Sequence, residues 1–137
     1  MTSDDHEAIR SLLNQYYHCV DTANTEKWLS LYTDDGSLDI GIGEPPISGK
    51  DALRTHGSTR RPGIGIHVAV NPVITIDGDA ATIDSYVVVI GGAEDPHVVL
   101  AGRYEDRFAP GPWRFVDRLI HTDLVGDVSH HLQPGIL

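Results

Sequence analysis

The sequence predicts an α+β domain: a strongly curved, mostly antiparallel sheet closed into a cone-shaped barrel, with N-terminal helices packed on it. Three observations predict it. Apolar residues recur at helical spacing from Ile9 to Tyr32, and four long β-branched runs follow one another from Gly65 onward. Inside the first of those runs stands Asn71-Pro72, where the missing N–H of proline requires a bulge or an edge position. Helices first and a meander afterwards place the helices on one face of the sheet. A bulged meander of long strands curves rather than lies flat.

The elements follow in order. Ser3 or Asp4 caps a first helix whose first turn is acidic, as the helix dipole favours. Its apolar face is Ile9, Leu12, Leu13, Tyr16, Val20 and Ala23. Thr25 caps a second, short helix from Glu26 to about Tyr32, carrying Trp28, Leu29 and Tyr32 and ended by Asp34-Asp35-Gly36. Ser37 to Ile40 reads as a short strand. Gly41 to Gly49, with its Pro45-Pro46 pair, reads as a loop without regular structure. Lys50 to about Thr59 reads as a third helix. The meander comprises Ile66–Ile76, Ala80–Ile90, His97–Phe108 and Trp113–Leu124. Its turns are Asp77-Gly78, a two-residue hairpin signal, then Gly91 to Pro96, then Pro110-Gly111. The expected organisation is one domain over residues 1–124, with 125–137 as a tail or flap.

Composition narrows the function. The 137 residues are 40% hydrophobic, enough for a single core. Twenty acidic against ten basic side chains give a net charge of -10, and Arg60-Arg61 is the nearest approach to a basic cluster. Such a surface repels phosphate backbones, so neither nucleic acid nor an anionic membrane is an expected partner. Cys19 is the single cysteine, which excludes an internal disulfide and fits a reducing compartment. The polar, acidic start Met1–His6 is unlike a signal peptide, and no apolar run is long enough to span a bilayer. The expectation is a cytoplasmic protein. Eight histidines invite a metal reading, but no His-x-x-x-His pair occurs and His130-His131 are adjacent, so no metal is expected.

Two polar residues stand out in apolar settings: Asp21, at the end of the first helix, and His67, in the first long strand. A carboxylate at a helix C-terminus meets the negative end of the dipole, so helix stability does not explain Asp21. Alternation puts His67 on one sheet face with Ala69 and Asn71: if that face is the concave one they look into the cone, and if not His67 is a structural histidine on the solvent face. A histidine oriented by a carboxylate has a fixed tautomer and suits a general base, given a hydrogen bond of about 2.6–3.2 Å. Tyr16 and Tyr17 stand beside Asp21 with phenol hydroxyls that can serve a carboxylate or a substrate oxygen. Trp28, Tyr32 and Tyr86 are candidates to line the cavity. Arg103, Arg107, Arg114 and Arg118 alternate with Glu105, Asp106 and Asp117, and read as cross-strand ion pairs on the outer sheet face.

These pieces together resemble the SnoaL-like polyketide cyclase and dehydratase family of the nuclear transport factor 2-like superfamily. The matching positions are Ile9, Leu12, Tyr16 and Asp21; Trp28, Leu31, Tyr32, Asp35 and Gly36; Gly49-Lys50-Asp51-Ala52; His67 with Asn71-Pro72; Asp77-Gly78-Asp79-Ala80; Gly102-Arg103-Tyr104 with Asp106; and Trp113-Arg114-Phe115. They run through about residues 5 to 122. By resemblance to scytalone dehydratase and the bile-acid dehydratases, His67 would be the base, Asp21 its orienting partner and Tyr16 an acid or carbonyl polariser. Tyr17, Trp28, Tyr32, Asn71 and Tyr86 would bind the substrate. Where that family carries an acidic residue or histidine on its third strand, Ser85 to Ile90 offers only Tyr86. The Asp-Arg-Asp set of limonene epoxide hydrolase would require Arg103 or Arg114 to face inward.

The resemblance implies a cofactor-independent lyase or isomerase acting on a hydrophobic, oxygenated ring substrate such as a polyketide, steroid or terpenoid. It also implies a homodimer or homotrimer. The alternative is a non-catalytic ligand-binding or assembly module, similar to the small subunit of ring-hydroxylating oxygenases. That reading predicts that Asp21 and His67 do not touch, or that side chains fill the cavity.

Overall fold

The computed structural model describes residues 3–126. The elements are α1 (Ser3–Asp21), α2 (Thr25–Ser30), β1 (Tyr32–Asp39), β2 (Ile47–Ser48), α3 (Lys50–Gly57), β3 (Gly65–Asp77), β4 (Ala80–Gly91), β5 (His97–Ala109) and β6 (Arg114–Val125). The strands form one sheet in the order β2-β1-β6-β5-β4-β3. The meander β3–β6 is antiparallel throughout, while β1 lies parallel to β6 and antiparallel to β2. The α+β reading, with helices packed on a curved and mostly antiparallel sheet, holds. The tail expected from 125 onward lies, from residue 127, outside the described residues.

Local details depart from expectation near the N-terminus. Asn24, not Thr25, caps α2: its Oδ1 accepts from the Lys27 N–H at 3.3 Å. Thr25 is released to donate to the Gly57 carbonyl at 3.2 Å, which ties α2 to α3. Asp34-Asp35-Gly36 does not separate helix from strand. It forms an irregularity inside β1, where the register against β6 shifts between Tyr32 and Ser37. The segment 41–49 also contains regular structure, because Ile47 and Ser48 pair with Leu38 and Ser37. Lys50 closes this region by donating to the Leu29 and Tyr32 carbonyls, so its ammonium satisfies one acceptor in the last turn of α2 and one at the start of β1.

Bulges produce the curvature. The register shifts between Val70 and Val73 on β3, at Val99 of β5 opposite Val89/Ile90, and at Asp123 and Val116 of β6 opposite Ala101/Gly102 and Arg107/Phe108. Asn71 takes a left-handed φ of 52° at the first of them, on the edge strand where Pro72 is tolerated. The concave face presents Ile83 and Val87 from β4, Tyr104 and Phe108 from β5, and Phe115 and Ile120 from β6, all buried. Against it pack Ile9, Leu13, Tyr16 and Val20 of α1 with Trp28 of α2 and Tyr32 of β1. The rings of Tyr16, Trp28, Tyr32 and Phe115 meet edge-on or tilted at 5.3–6.0 Å. The floor of the cone is therefore filled with side chains rather than open.

Candidate active site

α1 ends on Asp21 beside the edge strand β3, and the carboxylate bridges to His67 twice. The His67 backbone N–H donates to Oδ2 and Oδ1 at 3.1 and 3.3 Å. The imidazole Nδ1 lies 2.7 Å from Oδ1. An ionised carboxylate only accepts, so the geometry assigns the hydrogen to Nδ1, and in the neutral ring this leaves Nε2 its lone pair. Nε2 is buried and has no hydrogen-bond partner among the described residues. The two side chains are 4% and 21% exposed, so the dyad is nearly dry on the histidine side. The cost of a carboxylate at the helix C-terminus is thus offset by a ring nitrogen and a free strand-edge N–H.

A hollow of about 380 Å³ adjoins the dyad, lined by Asn14, Tyr17, His18, Asp21, His67 and Ala69 among others. It opens between α1 and β3 rather than down the axis of the cone. On the other side of the dyad Val20, Arg60, Arg61 and Ile64 leave only about 10 Å³. The Tyr17 ring stacks on the imidazole, with centroids 5.8 Å apart and planes 13° from parallel.

The structure brings together Asp21, His67 and Tyr17 from the sequence-derived set. Tyr16 lies deeper, 1% exposed, with its hydroxyl 3.0 Å from the Tyr32 hydroxyl. Trp28 and Tyr32 are fully buried core residues, and the Arg60 guanidinium lies 4.0 Å over the Trp28 ring. Asn71 and Tyr86 are displaced from the expected position. The bulge after Val70 breaks the alternation that began at His67, so Asn71 leaves the concave face. On β4 the inward residues are Ser85 and Val87, which turns the half-exposed Tyr86 outward. Asn71 and Tyr86 instead border a separate hollow of about 220 Å³ with Val73 and Arg103.

Sequence reasoning missed a second polar centre. Arg118 and Asp106 were expected on the outer sheet face, yet both side chains are 0% exposed inside the cone. Arg118 Nε donates to Asp106 Oδ1 at 2.6 Å and Nη2 to Oδ2 at 3.0 Å. The guanidinium carbon lies 3.9 Å from the Tyr104 ring centroid and 4.1 Å from that of Tyr16. Burial is the largest single influence on Arg118 and lowers its pKa, but Asp106 together with Tyr17, Tyr16 and Tyr104 outweighs it and raises the value well above the ordinary one. Burial raises the Asp106 carboxyl above its ordinary range, against the pull of Arg118. Val116 explains the error for Arg118. Phe115 pairs with Phe108 and Asp117 with Arg107, so Val116 is an extra residue that resets which side chains point inward. For Asp106 the signal was present, since it alternates with the inward Tyr104 and Phe108. Arg107 pairs with Asp117 across the strands as expected, while Arg103 pairs at 3.0 Å with Asp123, which was not among the expected partners.

The model of the SnoaL-like domain matches residues 1–118. The chain belongs to the SnoaL-like family. Solved structures agree on the nuclear transport factor 2-like, or cystatin-like, fold. An Asp-to-Asn variant of a protein of unknown function from Mycobacterium tuberculosis is 29% identical, with a TM-score of 0.78 over 93% of this chain and 82% of that one. A candidate scytalone dehydratase from Novosphingobium aromaticivorans is 21% identical, with a TM-score of 0.77 over 97% of this chain and 95% of that one. The β subunit of a candidate aromatic-ring-hydroxylating dioxygenase from the same organism is 21% identical, with a TM-score of 0.72 over 93% and 95%. No match is found among proteins of curated function. Among the described residues of this SnoaL-like protein no helix is long and apolar enough to cross a membrane, and no group of three or more His, Cys, Asp or Glu could hold a metal ion.

Proposed function

We propose that this SnoaL-like protein is a cofactor-independent lyase or isomerase, of dehydratase or cyclase type, acting on a hydrophobic, oxygenated ring substrate. The observation that carries the reading is the Asp21–His67 contact of 2.7 Å, with Nε2 left unpartnered beside a hollow of about 380 Å³. Asp21 fixes the tautomer and stabilises the imidazolium that forms. His67 removes a proton from the carbon next to a carbonyl, and a phenol hydroxyl, from Tyr16 or Tyr17, supports the enolate. Ile66, Val68 and Ala69 supply apolar walls. We place the protein in the cytoplasm, where its one thiol, on the buried Cys19, stays reduced. It acts as a homodimer or homotrimer through the outer sheet face, where Val68, Val73 and Tyr86 are exposed.

The filled cone floor supports a second reading, a non-catalytic assembly module similar to the small subunits of ring-hydroxylating oxygenases. The two part on one measurement. Deuterium exchange at the carbon next to the carbonyl of β-tetralone, followed by NMR, reads a general base without knowledge of the natural substrate. Exchange above the buffer rate, reduced about 100-fold or more in His67→Ala, supports the enzyme. Full exchange in His67→Ala, or none in the native protein, supports the module instead.

A further inference from the structure

Exposed apolar side chains gather at one end of the outer sheet face. The cross-strand partners Ile66, Ile90 and Val98 form a row there, where β3 starts, β4 stops and β5 starts. Ile66 is 59% exposed and Val98 50%, with Ile90 partly buried between them. In the next row Leu124 of β6, opposite Ala101, is 69% exposed. A hollow of about 250 Å³ continues the first row. Ile64, Ile66, Ile90, Ala93 and Pro96 line it together with glycines, and none of the described residues around it has a polar side chain. A free small ligand would find no group there to fix its orientation. A continuous apolar patch of this kind marks a docking surface.

The chain itself supplies the cover. β6 finishes at the same end of the sheet, and the Gly126 N–H donates to the Val99 carbonyl at 2.9 Å, beside Val98. From this point β4 lies one strand spacing away and β3 two, about 10 Å. The residues after Gly126 run from 127 to 137. Fully extended, they reach about 36 Å, well beyond that span. They include Val128, Leu132, Ile136 and Leu137, and their one Asp, Glu, Lys or Arg is Asp127. Such a segment is buried with little desolvation of charge. Because it is tethered, it meets the hollow at an effective concentration on the order of millimolar, which favours it over a second copy in solution.

We infer that residues 127–137 dock on the outer sheet face of their own chain, with Leu132, Ile136 and Leu137 seated in the hollow and against Ile66 and Val98. The docked segment lies across β3 from the dyad, because His67 is buried toward the concave side while Ile66 faces out. It is a strap over the ends of β5, β4 and β3 rather than a lid on the site. Ile66 also borders the hollow beside His67, so the strap backs one of the apolar walls of that hollow. Val73 and Tyr86, further along the same face, stay exposed for a second copy.

Methyl NMR on the full chain tests this. Nuclear Overhauser effects should connect methyls of Leu132, Ile136 or Leu137 to those of Ile66, Ile90 or Val98. In an equal mixture of isotope-labelled and unlabelled chains, a filtered spectrum that records only contacts between the two should lack them. Their absence from the first spectrum overturns the inference. So does their appearance in the filtered one, which would give the hollow to a second copy. A dye that brightens on apolar surface, anilinonaphthalene sulfonate, gives an independent reading. Leu132→Asp/Ile136→Asp/Leu137→Asp should keep the native circular dichroism and raise dye fluorescence by about threefold or more, because the hollow is uncovered. Equal fluorescence in the native protein and this variant overturns the docking and leaves the hollow to a partner of another kind.

Discussion

Asp21 does two jobs that a substitution series can separate. Asparagine keeps an oxygen for the His67 backbone N–H but loses the charge that steadies an imidazolium. Alanine loses both. Asp21→Asn should therefore fold with native stability to within about 1 kcal/mol and lose activity by about 100-fold or more. Asp21→Ala should lose comparable activity and also about 1–3 kcal/mol of stability, because it orphans a buried ring N–H and a strand-edge N–H. Chemical denaturation beside the β-tetralone assay separates the two effects. His56 gives a second residue-scale test. Burial, with Arg60 nearby, pushes its imidazole down to about 4 from the ordinary 6.5. A lowered folded-state value means that the unfolded chain takes up the proton first. The stability His56 confers is thus complete above about pH 6.5 and is lost as pH falls toward 4. The melting temperature should drop over that window, and His56→Gln should flatten the drop.

At the scale of elements, what was legible in the sequence followed period and turn chemistry. The long strands, the Asp77-Gly78 hairpin and the helical face of α1 each repeat a local rule several times, so single irregularities do not hide them. What was missed hinges on one residue. Asn24 rather than Thr25 starts α2, and Val116 turns Arg118 inward, because the cap and the bulge depend on how neighbouring elements seat. Asp21 and His67 were legible because each sits where local structure gives it no reason to be. Asn71 was misplaced although the bulge beside it was anticipated, since a bulge reverses every facing assignment beyond it. The same sensitivity makes bulges testable. A Cβ at Gly102 would come within 2.0 Å of the His121 carbonyl oxygen, backbone against side chain, at the register shift between Ala101 and Gly102. Gly102→Ala should cost about 1–3 kcal/mol by equilibrium unfolding. Gly43→Ala, in open space, adds no clash and bears only the strain of its positive φ of 82°.

The whole molecule combines an acidic surface with an apolar outer sheet face, and its polar groups sort by side. Outside, Arg103 with Asp123 and Glu105 with His121 rim the apolar residues Val68, Val73 and Tyr86. Such a face covered by a second copy predicts a particle of two or three chains by sedimentation. Tyr86→Arg should shift that particle toward single chains while leaving the circular dichroism unchanged. Inside, the Arg118–Asp106 pair occupies the place where a wide cone would hold its ligand, and the open volume lies instead between α1 and the edge strand β3. That location has a consequence for solubility. β3 ends the sheet, and an uncovered sheet edge recruits strands from other molecules. The Asp21 carboxylate also occupies the N–H of His67 on this edge, so the chemistry proposed for the dyad and protection against aggregation would share one side chain.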